Sequence, residues 1–127
     1  MARPSAKELT QRELEVMHVF WLSGQSMVSE IRDQLAATGR DLAYTTVATL
    51  IRILTEKGFL EQTNTERPFQ YRPMRSFEEV SRNILGDLVE RVFHGSREQL
   101  LVRLLAERRL SAKERAVLES ILREKEP

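Results

Sequence analysis

Apolar residues recur at helical spacing between positions 41 and 58 of the chain. Four of them fall at i, i+3, i+4 and i+7, namely Val47, Leu50, Ile51 and Leu54, and this spacing predicts a helix over residues 43–57 with one apolar side. The opposite side is small, hydroxylated and singly basic, with Tyr44, Thr45, Ala48, Thr49 and Arg52. A side that only faces water would be expected to carry Glu and Lys, because Thr loses rotamer freedom in a helix. We therefore expect close contact with a partner; the alternative is an ordinary amphipathic helix with a few threonines.

Two shorter helices are predicted before this one. Thr10 and Glu13 match a capping box, which predicts a helix over about residues 11–22. A second helix follows a short extended segment at 25–27, and its apolar residues repeat at i, i+3 and i+7: Val28, Ile31 and Leu35. A turn that contains Gly39 joins it to the helix over 43–57. This order is typical of a helix-turn-helix, whose second helix enters the major groove of DNA.

A β-hairpin is predicted directly after the helix-turn-helix. Residues 59–63 and 69–72 form two extended segments around a turn at 64–68, so that the hairpin covers residues 59–73. Phe69 and Tyr71 share one face, and Gln70 and Arg72 share the other. A hairpin in this place is typical of the wing of a winged helix, in which Arg67 at the turn would meet DNA phosphate. The alternative is a hairpin that only shields the core.

The rest of the chain has a purely helical pattern. Capping residues at Ser76, Ser96 and Ser111 predict helices over residues 77–94, 97–108 and 112–125. Their apolar residues face several directions, and three helices of this size would bury a marginal core as a monomer. We therefore predict a winged-helix domain over residues 1–75 and a helical dimerisation domain over 76–127, the alternative being a second domain packed on the first. The predicted interface residues are Ile84, Leu85, Leu88, Val89, Val92, Leu100, Leu104, Leu105, Leu118, Ile121 and Leu122.

The expected fold class is therefore mainly α with a small β-hairpin. The predicted DNA contacts depend on where the charged residues lie. The net charge is +1, so that a DNA interface must depend on where individual arginines lie. We predict phosphate contacts from Arg40, Arg52, Arg67 and Arg72. Base-edge contacts are predicted from Tyr44, Thr45, Thr46, Ala48 and Thr49. The near-neutral charge leaves one alternative function open, a winged helix that binds another protein without sequence-specific DNA binding.

Other classes of function find little support in the sequence. The chain has no cysteine, and its two histidines, His18 and His94, fall in different predicted helices, so that no metal or cofactor is expected. It also has no glycine-rich phosphate loop or nucleophile motif, and we expect no enzyme activity. The N-terminus lacks the apolar segment of a secretory signal, and no stretch is apolar enough to cross a membrane. A cytoplasmic location is expected.

Five stretches of the chain resemble the BlaI/MecI family of penicillinase repressors. In order they are LTQRELEVMHVFW, VSEI, TTVATLIRILTEKG, FQYRP and VFHGS. The resemblance implies a dimeric, cytoplasmic, bacterial repressor with an N-terminal winged helix and a C-terminal dimerisation region, which binds a palindromic operator to block transcription. It also implies that Thr46 and Thr49 take the roles of the matching threonines in the family's recognition helix.

The chain departs from the family pattern in three places. Family members commonly carry arginine at the position of Ile53, whereas this chain has Arg52 one residue earlier, and one residue rotates a side chain by about 100° around a helix. The copper-responsive CopY branch senses metal through C-terminal cysteines, which are absent here. The resemblance also implies a sensor-linked protease that relieves repression by cutting the dimerisation region. Arg103 and Leu104 lie at the matching place but do not reproduce the staphylococcal sequence.

Overall fold

A computed structural model describes residues 9–106 and 108–125. The elements in chain order are α1 Gln11–Ser23, β1 Ser26–Met27, α2 Val28–Ala37, α3 Tyr44–Glu56, β2 Leu60–Gln62, β3 Gln70–Pro73, α4 Phe77–Val92, α5 Arg97–Ala106 and α6 Ala112–Lys125. This confirms the mainly α fold with a small β wing. The chain divides into two compact units, the first ending at Leu85 and the second beginning at Gly86. The division falls within α4, and the domain boundary placed at residue 75 stays a prediction.

The N-terminus of α1 is held by the predicted capping box and by a contact with α3. The Thr10 hydroxyl accepts a hydrogen bond from the Glu13 N–H at 3.1 Å, and the Glu13 carboxylate accepts one from the Thr10 N–H at 2.9 Å. The same carboxylate oxygen lies 2.9 Å from Nζ of Lys57. Because Glu13 is only 3% exposed, this ion pair fixes the start of α1 against the end of α3 from inside the first unit.

The core of the first unit lies between its three N-terminal helices and the base of the wing. Its fully buried side chains are Val16, Met17 and Phe20 of α1, Ile31 of α2, Val47, Ile51 and Leu54 of α3, Phe59 just before β2, Leu60 of β2 and Val80 of α4. Three of the four apolar residues predicted for α3 are thus buried completely, and Leu50 is partly buried. Because the apolar side of α3 packs in the core, the side that carries Thr45 and Thr49 faces outward.

The small sheet contains one strand more than the predicted hairpin. Strand β3 lies in the middle, antiparallel to β2 on one edge and to β1 on the other. The two-stranded prediction was therefore incomplete: the free edge of β3 offers unpaired N–H and C=O groups, and the short segment before α2 pairs with them. The wing turn is held by Asn64, whose Oδ1 accepts from the Gln70 N–H at 2.8 Å and whose Nδ2 donates to the carbonyls of Glu66 and Pro68.

The second unit leaves most of its large apolar side chains exposed. No residue of α5 is buried, and the exposed apolar side chains from Leu88 to Leu122 have between 38% and 63% of their surface accessible. Helix α4 ends at Val92, two residues before its predicted end, because His94 and Gly95 adopt positive φ angles of 52° and 85°. Helix α5 ends at Ala106 rather than 108.

Candidate nucleic-acid interface

The outward side of α3 and the wing line one continuous cleft in the first unit. Two adjoining depressions share Ala48, Arg67, Phe69 and Tyr71. The other lining residues include Tyr44 at the N-terminal end of α3, and Thr49, Arg52 and Glu56 toward its C-terminal end. The cleft therefore brings together five of the predicted DNA-binding residues: Tyr44, Ala48, Thr49, Arg52 and Arg67.

Helix α3 begins without a side chain that accepts its free backbone N–H groups. Its N-cap residue is Ala43, and its first turn contains no acidic residue. By contrast, hydroxyls of Thr10, Ser76, Ser96 and Ser111 accept such N–H groups at α1, α4, α5 and α6. The first turn of α3 thus combines free donors, the positive end of the helix dipole and two exposed threonines, Thr45 and Thr46.

A ridge of exposed side chains runs the length of α3 at i, i+4, i+7 and i+11. It consists of Thr45, Thr49, Arg52 and Glu56. The Arg52 guanidinium donates to the Glu56 carboxylate at 3.0 Å, so that the only basic side chain on this ridge already has an anionic partner. The two threonines offer hydroxyl and methyl groups small enough to approach base edges.

The wing contributes aromatic rings and a second arginine. The Arg67 guanidinium lies over the Phe69 ring, 5.1 Å from its centroid, which orients the charge at the rim of the cleft. Burial raises the pKa of the Tyr71 phenol above its usual value of 10.0, and the neighbouring Tyr44 raises it further, while Arg67 lowers it. Tyr71 therefore keeps its phenolic proton at neutral pH and can donate a hydrogen bond there.

Four predicted DNA-binding residues do not line the cleft: Thr45 and Thr46 lie in the exposed first turn of α3, and Arg40 and Arg72 form ion pairs outside the cleft. The Arg40 guanidinium donates two hydrogen bonds to the Glu15 carboxylate, at 3.1 and 3.0 Å, and these bonds hold the pKa of Glu15 below its usual value. Arg72 pairs with Glu61 across the β2–β3 ladder. Since side chains alternate along a strand, this pair lies on the sheet face opposite Tyr71. The DNA-binding role of both arginines stays a prediction.

Nine residues that line the cleft were absent from the predicted interface, among them Phe69, Tyr71 and Glu56. Phe69 and Tyr71 are partly buried: Tyr71 packs against the core, and both side chains also line the cleft. Phe69 and Tyr71 follow Arg67 of the wing turn and alternate onto one face, which was the available sequence signal. Glu56 could have been placed beside Arg52 from their i, i+4 spacing on the predicted helix.

The described residues contain no cluster of metal ligands. Within residues 9–106 and 108–125, no three His, Asp or Glu side chains come close enough together to hold a metal ion. His18 packs edge-on against Trp21, with ring centroids 5.3 Å apart. In the same part of the chain, no helix combines the length and apolarity that crossing a bilayer requires.

Comparison with known proteins shows which family and which solved fold the chain is similar to. The family model described as penicillinase repressor matches residues 9–124. The methicillin resistance regulatory protein MecI of Mammaliicoccus sciuri is 25% identical over 118 residues, which cover 93% of this chain and 95% of MecI. The transcriptional regulator BlaI of Mycobacterium tuberculosis is 32% identical over 116 residues, which cover 90% of this chain and 82% of that protein. The solved DNA-binding domain of the repressor BlaI has a TM-score of 0.52 and 26% identity, over 61% of this chain and 93% of that domain.

Proposed function

Because the chain belongs to the penicillinase repressor family, we propose that it is a homodimeric, cytoplasmic repressor that binds a palindromic DNA operator through α3 and the wing. Members of this family are transcriptional repressors and not enzymes. The observation that carries the proposal is the outward side of α3: it is exposed, small and hydroxylated, and it lies beside a wing that presents Arg67. An α-helix of this kind fits the major groove.

Within this interface, phosphate contacts and base contacts come from different residues. Arg67 and the uncapped start of α3 supply positive charge and backbone donors that suit phosphate oxygens. Thr45, Thr49 and Ala48 supply hydroxyls for base edges and methyl groups for thymine. The phosphate contacts set the position of the protein on the duplex, and the α3 contacts distinguish one sequence from another.

A homodimer is proposed because the second unit exposes too much apolar surface for a monomer. The side chains available for a two-fold interface include Leu88, Val92, Leu104, Leu118 and Ile121, each with at least 38% of its surface exposed. Val89 is already buried, and Ile84 packs against the core of the first unit, so that neither offers much new area. Burying each exposed side chain contributes about 1.5–3 kcal/mol. A dimer then presents two copies of α3 to two half-sites.

The sensor-linked protease remains part of the proposal. Arg103 and Leu104 lie inside α5, and a protease needs an extended substrate. Cleavage there would require α5 to open locally, which its lack of buried residues favours.

Selection of bound DNA from a random pool tests the proposed function directly. We expect the purified chain to enrich an inverted repeat, with half-sites about one or two helical turns apart. The second candidate, a protein-interaction module, is favoured only by the near-neutral net charge of +1. It predicts no enrichment and no binding to random duplex at low salt, and that result would overturn the DNA-binding proposal.

Thr49→Ala should weaken binding to the selected operator by about 1–3 kcal/mol and weaken binding to random duplex much less. The reason is that Thr49 stands on the exposed ridge of α3 without a phosphate-binding charge. A mobility-shift titration on both duplexes measures the two losses. Thr49→Ser keeps the hydroxyl and should retain part of the preference. Equal losses on both duplexes would contradict base reading by this residue.

Arg67→Ala should weaken binding to both duplexes and reduce the slope of log K against log salt concentration by about 0.9. This slope counts the phosphates that protein cations neutralise, and Arg67 lies at the rim of the cleft. Titrations at four or more salt concentrations give the slope. Arg82→Ala, which removes an equally exposed charge from α4, is the control. An Arg67→Ala slope equal to that of the wild type would exclude the wing tip from the interface.

A further inference from the structure

The Glu56 carboxylate lies on the surface that is proposed to bind DNA. Glu56 lies 3.0 Å from the Arg52 guanidinium, and the two side chains are 64% and 62% exposed. Both line the cleft together with Thr49. Any duplex that contacts this end of the ridge therefore meets one positive and one negative group side by side.

The fold gains little from this carboxylate. Solvent-exposed ion pairs contribute little to stability, and the order of this pair, Arg before Glu, is the less favourable one on a helix. Glu56 is also the last residue of α3, whose final turn contains no basic residue. The negative end of the helix dipole disfavours a carboxylate there. The position of Glu56 thus has no evident structural purpose.

Arg67 on the other side of the cleft provides the contrast. Its guanidinium is held by the Phe69 ring, and none of the ion pairs within residues 9–106 and 108–125 involves it. Arg67 can therefore bind a phosphate directly, whereas Arg52 must first break or share its ion pair with Glu56.

We propose that Glu56 competes with DNA phosphates for Arg52 and thereby holds down the affinity of the protein for duplex of any sequence. This inference rests on the proposed DNA-binding function and adds that Glu56 limits the affinity for duplex DNA. The carboxylate acts in two ways: it occupies the guanidinium, and it repels approaching phosphates. Weak sequence-independent binding is useful to a repressor, because random sites vastly outnumber its operator and would otherwise retain it.

Glu56→Gln tests the proposal by keeping the size of the side chain and removing its charge. We expect the dissociation constant for a random-sequence duplex at low salt, measured by fluorescence anisotropy, to fall by about three- to tenfold. The slope of log K against log salt should steepen by up to about 0.9, because Arg52 then neutralises a phosphate fully. A gain on the selected operator should accompany the gain on random duplex.

The chain contains a control pair with the same geometry. Arg75 and Glu79 form an ion pair with the same order, the same i, i+4 spacing and the same 3.0 Å distance; they are less exposed, at 32% and 42%, and neither lines the cleft. Glu79→Gln changes the net charge by the same amount and should alter the affinity for random duplex by less than about twofold. A double-mutant cycle adds the second control: in an Arg52→Gln background, Glu56→Gln should lose most of its effect.

The outcomes separate this inference from the function on which it rests. A gain for Glu56→Gln no larger than for Glu79→Gln, or a gain that survives Arg52→Gln in full, would overturn the competition while leaving DNA binding intact. A clear fall in thermal stability of Glu56→Gln would also count against it, since that result would show a structural role. If the wild-type chain binds no duplex at low salt, the proposed function fails, and this inference fails with it.

Discussion

Ile121→Asp should leave the purified chain monomeric at micromolar concentration and lower its affinity for its operator by about 10²- to 10⁴-fold. Ile121 lies on α6, 48% exposed, among other exposed apolar side chains of the second unit. A carboxylate placed in a two-fold apolar interface would lose its hydration without gaining a partner. Each monomer would then hold one half-site alone, without the high effective concentration that a dimer provides for the second. Sedimentation velocity and a mobility-shift titration measure the two effects.

Leu22→Asp is the matched control for this substitution. Leu22 is the most exposed large apolar residue among those described, at 88%, and it lies on α1 in the first unit. The same change of side chain there should leave the dimer intact. Ile121→Asp must also retain its helical circular dichroism, so that loss of the dimer is distinguished from loss of the fold. A fully dimeric Ile121→Asp protein would contradict the proposed interface.

Glu13→Ala should destabilise the first unit by about 3 kcal/mol. The substitution removes one half of the capping box and a carboxylate oxygen that lies 2.9 Å from the Lys57 ammonium. Removing one partner of a buried ion pair costs more than the pair itself contributes, because the attraction that offset the burial of the other charge is lost. Urea unfolding followed by circular dichroism measures the change in free energy of unfolding.

Thr10→Ala separates the capping box from the ion pair. It removes the hydroxyl that accepts from the Glu13 N–H but keeps the contact between Glu13 and Lys57, so that it should cost only about 1 kcal/mol. Equal losses for Glu13→Ala and Thr10→Ala would show that the link between α1 and α3 contributes nothing. A larger loss for Glu13→Ala would show that this link contributes to the stability of the first unit.

The elements of this protein could be predicted from its sequence because each has a local signal. Four capping residues predicted helix starts: Thr10, Ser76, Ser96 and Ser111. In the structure, each of their hydroxyls accepts a hydrogen bond from the backbone N–H three residues later. Helical periodicity assigned the buried side of α3 correctly through Val47, Ile51 and Leu54. These signals depend only on spacing along the chain, so that no knowledge of the fold is needed to read them.

The partners of the charged side chains could not be predicted in the same way. Arg40 and Glu15 are separated by 25 residues, and Lys57 and Glu13 by 44, so that nothing along the chain relates them. The sequence therefore treated Arg40, Arg52, Arg67 and Arg72 as equivalent cations. Three of them have carboxylate partners, and Arg67 lies over an aromatic ring instead. The available charge of the cleft is accordingly smaller than the count of arginines suggests.

By itself the sequence determined the order of the helices and of the two hairpin strands, the buried side of α3 and its threonine-rich outer side, because side-chain periodicity follows directly from backbone geometry. Only the tertiary structure decided that Phe69, Tyr71 and Arg67 lie beside that outer side and that β1 joins the sheet. Those relations depend on how separate elements pack and on the phase at which each helix meets the core. Packing and phase are set by contacts between residues far apart in the chain, which local patterns do not encode.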